Sequence, residues 1–211
     1  MILRLPIEVL IILLPILLFS LCFHEFAHGY VAYRLGDDTA ARNGRLTLNP
    51  MAHLDLMGSI MILFIGFGWA KPVPINPYNF ANPRLDSMKV AFAGPASNLI
   101  LAFIAGIVIR FLNFNNILIS EISIQVIYFF MSVNIALAVF NMLPIEPLDG
   151  SRIFGNIIAK DNPQLAVNLQ LYGPRILFAL IFIGLFTPFS ILGMIITPFI
   201  KFFIYIFAGL S

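Results

Sequence analysis

The sequence predicts an all-α fold: a polytopic transmembrane helix bundle of about four to six spans with one short re-entrant or interfacial segment. Of its 211 residues, 60% are hydrophobic and only 10% are charged, whereas about a quarter of the residues of a soluble domain are charged. The mean hydropathy is +0.97. Several apolar runs approach the roughly 20 residues that a helix needs to cross a bilayer. Because the polar connections between them are short, we expect one domain over residues 1–211.

Composition also excludes several classes of protein. The net charge of +2 comes from Lys and Arg residues scattered through connections, which gives no support to nucleic-acid binding. The single cysteine, Cys22, excludes an internal disulfide and a multi-cysteine metal site. The first apolar run has no small-residue cleavage site, so we expect it to be retained as the first span.

The first 84 residues predict one long helix followed by polar and short apolar segments. Residues 5–33 are one candidate helix, in which Pro15 is a possible kink. Residues 36–54 are rich in turn formers and are expected outside the membrane. Residues 56–69 are apolar but too short to cross comfortably, which favours the re-entrant or interfacial segment. Residues 71–84 carry four X-Pro steps and predict a loop.

The second half of the chain predicts further spans separated by one broken segment. Residues 87–112 form the second full span, entered through AGPASN, whose small residues let neighbouring helices approach closely. Residues 122–140 form the third, and residues 144–150 then break the apolar pattern.

The C-terminal third is less regular. Residues 152–174 are polar and predict an interfacial helix and turn. Residues 175–210 are nearly continuous apolar sequence interrupted by Pro188 and Pro198, which predicts one long broken span or two shorter ones.

Ionisable side chains lie in the first apolar helix, in the stretch FHEFAH. His24 and His28 are four residues apart, so an α-helix places both on one face, within reach of a single metal ion. Glu25 lies about 100° round the helix from His24. This is the H-E-x-x-H pattern of zinc hydrolases, in which the metal activates water and the glutamate takes its proton. Each such group costs roughly 2.5 to 3.5 kcal/mol at membrane depth, which a metal would offset; hydrogen bonding across a helix bundle is the alternative.

Catalytic zinc sites usually have three protein ligands, so the pattern requires one more. The candidates are His53, Asp55, Glu146 and Asp149. The first two would have to fold back from a stretch beyond the end of the same helix. The last two lie in NMLPIEPLDG, where a proline-broken backbone requires surrounding protein or a water-filled cavity. We favour Asp149 over Glu146; a turn aspartate that caps the next helix is the alternative.

Five motifs together carry a family resemblance. HEFAH, GRLTLNPMAHLDLMG, GWAKPVPINPYNF, AGPASN and NMLPIEPLDG occur in this order over residues 19–154. They resemble the site-2 protease family of intramembrane zinc metalloproteases, in a compact form without PDZ or CBS modules. The resemblance implies a catalytic core at about residues 7–160, with C-terminal hydrophobic spans at 175–210.

The resemblance also implies a chemistry. His24, His28 and Asp149 would bind one Zn²⁺ per chain, and Glu25 would be the general base. The substrate would be a transmembrane protein or peptide, cut within or near the lipid bilayer of the cell membrane in regulated intramembrane proteolysis.

Other polar residues are weaker candidates. Asn98 and Asn141 would hold the substrate backbone or orient the ligands, and interhelical hydrogen bonding is the alternative for each. His53 is either a conditional metal ligand or oxyanion donor, or a loop histidine bonded to backbone. Residues 56–69 and 71–84 are expected to wall the route by which water enters, and 56–69 to offer a strand edge to an unwound substrate.

Three rival functions stay open on the sequence alone. A transporter or channel would use the histidines and Glu25 as an ion path, although matching broken helices in paired halves are missing from the sequence. A different membrane zinc hydrolase would use the same metal site on lipid. A scaffold would have kept the fold and lost the activity.

Overall fold

The computed structural model describes residues 6–65, 68–187 and 189–209, and within these ranges the regular structure is helical. The helices, in chain order, are α1 (Ile7–Arg34), α2 (Thr39–Arg42), α3 (Pro50–His53), α4 (Leu56–Ile65), α5 (Pro83–Phe114), α6 (Glu121–Asn141), α7 (Asp149–Asp161), α8 (Pro163–Phe186) and α9 (Ile191–Ala208). Among the described residues, five helices are long and apolar enough to cross a membrane, namely α1, α5, α6, α8 and α9. The predicted all-α transmembrane bundle is thereby confirmed.

Two helix starts differ from the prediction. Helix α5 begins at Pro83 rather than at residue 87, because the Asn82 side chain caps the Leu85 N–H and proline suits the first helical position. Helix α8 begins at Pro163 in the same way, behind the cap of Asn162. The predicted interfacial helix and turn at 152–174 therefore contains most of α7, which begins earlier at Asp149, and the first part of α8.

The tail adopts one of the two predicted arrangements. It forms two helices, α8 and α9, and both continue through an internal proline, Pro174 and Pro198. Proline is tolerated inside membrane helices because neighbouring groups satisfy the freed backbone. Residues 5, 188 and 210, which the predicted boundaries include, lie outside the described residues.

Helix α4 lies in a segment whose two ends, Leu54 and Ala70, are adjacent. Leu54 forms an antiparallel bridge with Ala70, and the N–H of Lys71 donates to the carbonyl of His53 at 2.8 Å. The helix between them has ten residues, too few to cross a bilayer. This geometry fits the predicted re-entrant or interfacial segment.

Helix α5 is the centre of the bundle and contacts α1, α6, α7 and α9. Its far half packs against α6 and α9 through small and branched residues, which are Ala102, Ala105, Ile109, Met131, Ile135, Ile204 and Ala208. At Gly106 a Cβ atom would lie 2.5 Å from the Cβ of Phe207, so α9 approaches the α5 backbone directly. Arg110 then donates to the carbonyls of Ile206 and Phe207 at 2.5 and 2.8 Å, which fixes the end of α9.

The connection between residues 71 and 79 is loop, as predicted, and its ends are anchored by charged side chains. Asp37 is completely buried and accepts hydrogen bonds from the Asn76 N–H and the Asn79 side-chain amide, both at 2.7 Å. Its other partner is Thr39, through both the backbone and the hydroxyl group. At the other end, Arg45 donates to the Lys71 carbonyl at 2.6 Å.

We expect Asp37→Ala to lower the free energy of unfolding by about 2 to 3 kcal/mol, because it leaves buried donors unpaired. Thermal unfolding in detergent measures this loss. Asp38→Ala is the matched control: its exposed pair with Arg42 is worth at most about 1 kcal/mol. Equal destabilisation by the two substitutions would contradict the anchoring role.

The contribution of Asp37 also has a predicted pH dependence. Burial raises the pKa of Asp37, but hydrogen bonds from Thr39, Asn76 and Asn79 outweigh burial and hold it below the usual value. The stabilisation is therefore complete above the unfolded-state pKa of about 3.9 and is lost as the pH falls through the lower folded-state pKa. The stability gap between wild type and Asp37→Ala should stay constant from about pH 7 to 5 and close only below about pH 4.

Candidate active site

Three potential metal ligands meet where α1, α5 and α7 come together. His24 and His28 lie on one face of α1, buried, with their Nε2 atoms 3.0 Å apart. Asp149 is the first residue of α7, and its Oδ2 lies 3.0 Å from His24 Nε2 and 3.2 Å from His28 Nε2. All three ligand atoms lie within 4.8 Å of one another. The helix spacing and the proline-broken segment therefore converge on one point.

The second nitrogen of each imidazole ring is held by α5. His24 Nδ1 donates to the Asn98 side-chain oxygen at 2.6 Å, and His28 Nδ1 donates to the Val90 carbonyl at 2.7 Å. With the protons on Nδ1, both Nε2 lone pairs point toward the Asp149 carboxylate. Three electron-pair donors at this separation repel one another unless a cation lies between them. The donor set therefore fits Zn²⁺, which takes nitrogen and carboxylate ligands at about 2 Å.

A fully buried polar network lies behind His24. Asn98 donates to the Asn134 side-chain oxygen at 2.9 Å and to the Ser20 carbonyl at 3.2 Å. Asn134 in turn donates to the Ser20 hydroxyl at 2.9 Å. Both amides are 0% exposed, so all donors of Asn98 are used inside the bundle. Asn98 thus holds the His24 ring through a hydrogen bond, which is compatible with the predicted role of orienting a ligand. The contributions of Asn134 and Ser20 were not predicted.

Gly94 brings α5 into contact with the two imidazoles. A Cβ atom at this position would lie 2.5 Å from His24 Nε2 and in contact with His28 Nε2. The small residues of AGPASN predicted a close helix approach, and the structure shows that the approach is to the ligand rings. Only a glycine leaves the space around these two nitrogens open.

Asp149 is positioned by two further close contacts. Gly150 packs on the carbonyls of Met142 and Leu143 at the end of α6, where a Cβ atom would not fit. Gly173 of α8 packs on Glu146, whose backbone nitrogen would lie 2.7 Å from a Cβ. The aspartate does not cap its own helix, because its carboxylate contacts the histidines. The sequence did not reveal that α8 supports this segment.

Glu25 faces the same space as the ligands and is held by the 71–79 loop. Its Oε2 accepts a hydrogen bond from the Val73 N–H at 2.9 Å. A cavity of about 360 Å³ is lined by His24, Glu25, His28 and Asp149, with further walls from residues 68–75, α6 and α8. The proline-rich loop is a wall of this cavity, as predicted, whereas 56–69 contributes Gly68 and Trp69 but no described residue of α4.

The other predicted site residues lie apart from the ligand cluster or at its edge. His53 donates from Nε2 to the Thr47 carbonyl at 2.7 Å, outside the cluster. Asp55 accepts from the Gly58 N–H and caps α4. Asn141 lines the active-site cavity but donates to the Leu137 carbonyl of its own helix. Glu146 lines a neighbouring cavity instead.

Comparison with known proteins identifies the family of this chain. The model of Peptidase family M50 matches residues 115–184, which include Asp149. The chain is 41% identical over 182 residues to "Putative zinc metalloprotease YwhC" of Bacillus subtilis, an overlap of 84% of this chain and 83% of the relative. The chain belongs to peptidase family M50. Membership in M50, the site-2 protease family, makes it a zinc metalloprotease that uses Zn²⁺.

A more distant M50 relative shares part of the chain. "Putative zinc metalloprotease Rip2" of Mycolicibacterium smegmatis is 32% identical over 153 residues, which cover 70% of this chain and 56% of the relative. No solved structure matches the chain. The five long apolar helices and the M50 membership together identify the chain as an integral membrane protein.

The Asn134 network should be needed for metal affinity. We expect Asn134→Leu to weaken zinc binding by about 10- to 100-fold, because it releases the Asn98 amide that orients His24. Competition with a chelator measures this. Asn141→Leu is the matched control and should keep the wild-type zinc affinity, since among the described residues that amide bonds only to its own helix. Equal affinities for the two variants would contradict the role of the network.

Gly94 should tolerate no side chain. We expect Gly94→Ala to lose stoichiometric zinc, because its methyl group would occupy the space beside both Nε2 atoms. Zinc content of the purified protein is the measurement. Gly155→Ala is a matched helical control, where an added Cβ meets no atom within 4 Å. Retention of zinc by Gly94→Ala would place the metal elsewhere.

Proposed function

We propose that this protein is an intramembrane zinc metalloprotease of the cell membrane that hydrolyses peptide bonds within or near transmembrane segments of membrane-protein substrates. One observation carries the proposal: His24, His28 and Asp149 converge in a buried cavity that Glu25 also lines. The walls of this cavity include helices long enough to span a bilayer. A substrate that reaches these groups therefore comes from within or beside the membrane.

The three convergent side chains would hold the metal. The two neutral imidazoles offer Nε2, and Asp149 offers a carboxylate that partly neutralises a divalent cation in apolar surroundings. When bound there, Zn²⁺ supplies Lewis acidity that makes water a nucleophile at neutral pH and polarises the substrate carbonyl. Asn98 and the Val90 carbonyl keep the two rings in the required tautomer.

Glu25 would move the proton. The Val73 N–H holds Oε2, which leaves Oε1 to accept a proton from the attacking water molecule. The water oxygen bonds to the peptide carbon, and the bond from that carbon to nitrogen breaks. Glu25 then returns the proton to the leaving nitrogen, so the products are a carboxylic acid and an amine.

The substrate has to be extended to be cut, because a helix encloses its scissile bonds in internal hydrogen bonds. The predicted strand edge at 56–69 is largely helical, since α4 covers Leu56–Ile65, whereas segment 70–76 is outside the helices and contributes Pro72, Val73 and Ile75 to the cavity wall. This segment would receive the unwound peptide as a neighbouring strand. Asn141, at the end of α6, also lines the cavity and would contact the substrate backbone.

Four substitutions test the assignment of roles. Glu25→Gln should abolish cleavage of a model transmembrane peptide, by about 10²-fold or more, while zinc stays bound. His24→Ala and Asp149→Ala should lose zinc and cleavage together, because each removes one donor. His53→Ala is the histidine control and should keep its zinc. Zinc content and peptide cleavage are measured on the same detergent-purified samples.

The outcomes also separate the rival functions. Zinc retained in Asp149→Ala would exclude this aspartate as a ligand. Ion flux through reconstituted wild-type protein that Glu25→Gln abolishes, without cleavage by either, would indicate an ion path. Release of fatty acid rather than peptide would indicate a lipid hydrolase.

A further inference from the structure

A second cavity adjoins the active-site cavity. It has a volume of about 480 Å³ and lies between α5, α7, α8 and the turn at Pro77–Asn79. Ile75, Val90 and Arg152 line both cavities, so the two spaces meet at these residues. The volume is within the range of ligand sites. None of the roles assigned above to the zinc ligands or to Glu25 uses this second space.

The second cavity follows α7 away from the zinc ligands. This helix starts at Asp149, and its residues Ser151, Gly155 and Ala159 line the cavity in succession. Farther along, Arg84 at the start of α5 donates to the Asn156 carbonyl. The cavity therefore leads from the ligand cluster to the end of the bundle where α5 begins, beside the 71–79 loop.

The walls of the second cavity suit an extended peptide better than a lipid chain. Polar side chains from four elements line it, among them Ser87, Glu146, Asn156 and Gln170. Such groups can hydrogen-bond the amides of an extended backbone, whereas a lipid tail would leave them unpaired. Small residues of α7 and α8, namely Gly155, Ala159 and Ala166, leave space in the cavity.

Arg152 supplies an unused charge at the junction of the two cavities. It is the only Lys or Arg among the described residues that line either space. Its side chain is exposed, and no partner of its guanidinium lies within the described part of the chain. Of these two cavities, Glu146 lines only the second. Among the described residues it forms no ion pair with Arg152.

We propose that the second cavity is a substrate subsite: it receives the extended peptide segment between the scissile bond and the polar end of the bundle, and Arg152 binds an acidic side chain of that segment beside the scissile bond. The proposal rests on the proposed proteolytic function and adds a sequence preference to it. Because Arg152 lines both cavities whereas Glu146 lines the second but not the active-site cavity, the preference for an acid applies only to the position next to Arg152.

Gly155 allows the subsite to be filled without disturbing the fold. A Cβ atom there meets nothing within 4 Å, and its backbone does not need a positive φ. A larger side chain would extend into the cavity, and most residues are better helix formers than glycine. Gly155→Leu therefore blocks the subsite while the zinc ligands stay in place.

The first test compares two substrates with zinc-loaded full-length protein. One is a transmembrane peptide with a polar flank, and the other is the same peptide truncated just beyond the scissile bond on that side. We expect Gly155→Leu to lower kcat/KM on the flanked peptide by about tenfold, mainly through KM, and to lose this penalty on the truncated one. Phe154→Leu, at a neighbouring α7 position outside the cavity, should cleave both peptides as wild type does. Equal cleavage of the flanked peptide by Gly155→Leu and wild type would overturn the subsite.

The second test varies charge. Glutamate, glutamine and lysine are placed in turn at each flank position near the scissile bond. We expect wild type to prefer glutamate at one position by about three- to fivefold, and Arg152→Glu to prefer lysine there. A flat profile in wild type would overturn the role of Arg152 while cleavage itself continues. Failure of zinc-loaded wild type to cleave any of these peptides would instead overturn the proposed function, and the subsite with it.

Discussion

The structure around the candidate active site depends on keeping three electron-pair donors, from His24, His28 and Asp149, about 3 Å apart inside an apolar bundle. Isolated, such groups are costly in a membrane environment, and at this distance they also repel one another. A divalent cation resolves both costs only if the donors are held before it binds. Much of the surrounding structure has this holding function.

The groups that hold these donors in place lie on different helices and far apart in the chain. Helix α5 binds both Nδ1 atoms and, through Gly94, packs its backbone against the two rings. Helix α6 reaches the same site indirectly, through Asn134 and the Asn98 amide. Helix α8 packs Gly173 on the segment that carries Asp149. Because all side-chain amide donors of Asn98 and Asn134 have partners, the polar groups specify one packing of α1, α5 and α6.

Glu25 is held by a different set of contacts, which come from the polar connections of the chain. The Val73 N–H contacts Glu25, while Arg45 and Asp37 anchor the two ends of the same loop. A change in these outer anchors would therefore move the donor that orients Glu25. This connects the polar part of the chain to Glu25, although the described residues show no hydrogen bond between the anchors and His24, His28 or Asp149.

The sequence by itself determined that the chain is a membrane protein, that its fold is helical, and that His24 and His28 form a pair on one helix face. Apolar runs predict membrane helices because the bilayer leaves the backbone no other partner, and i, i+4 spacing fixes His24 and His28 on one face whatever the fold. The sequence favoured Asp149 over Glu146, but both lie in one broken segment, and only the tertiary structure shows that the Asp149 side chain turns toward the histidines. The same holds for Asn134, Val73 and Gly173. Their roles arise from contacts between residues far apart in the chain, and no local pattern encodes such contacts.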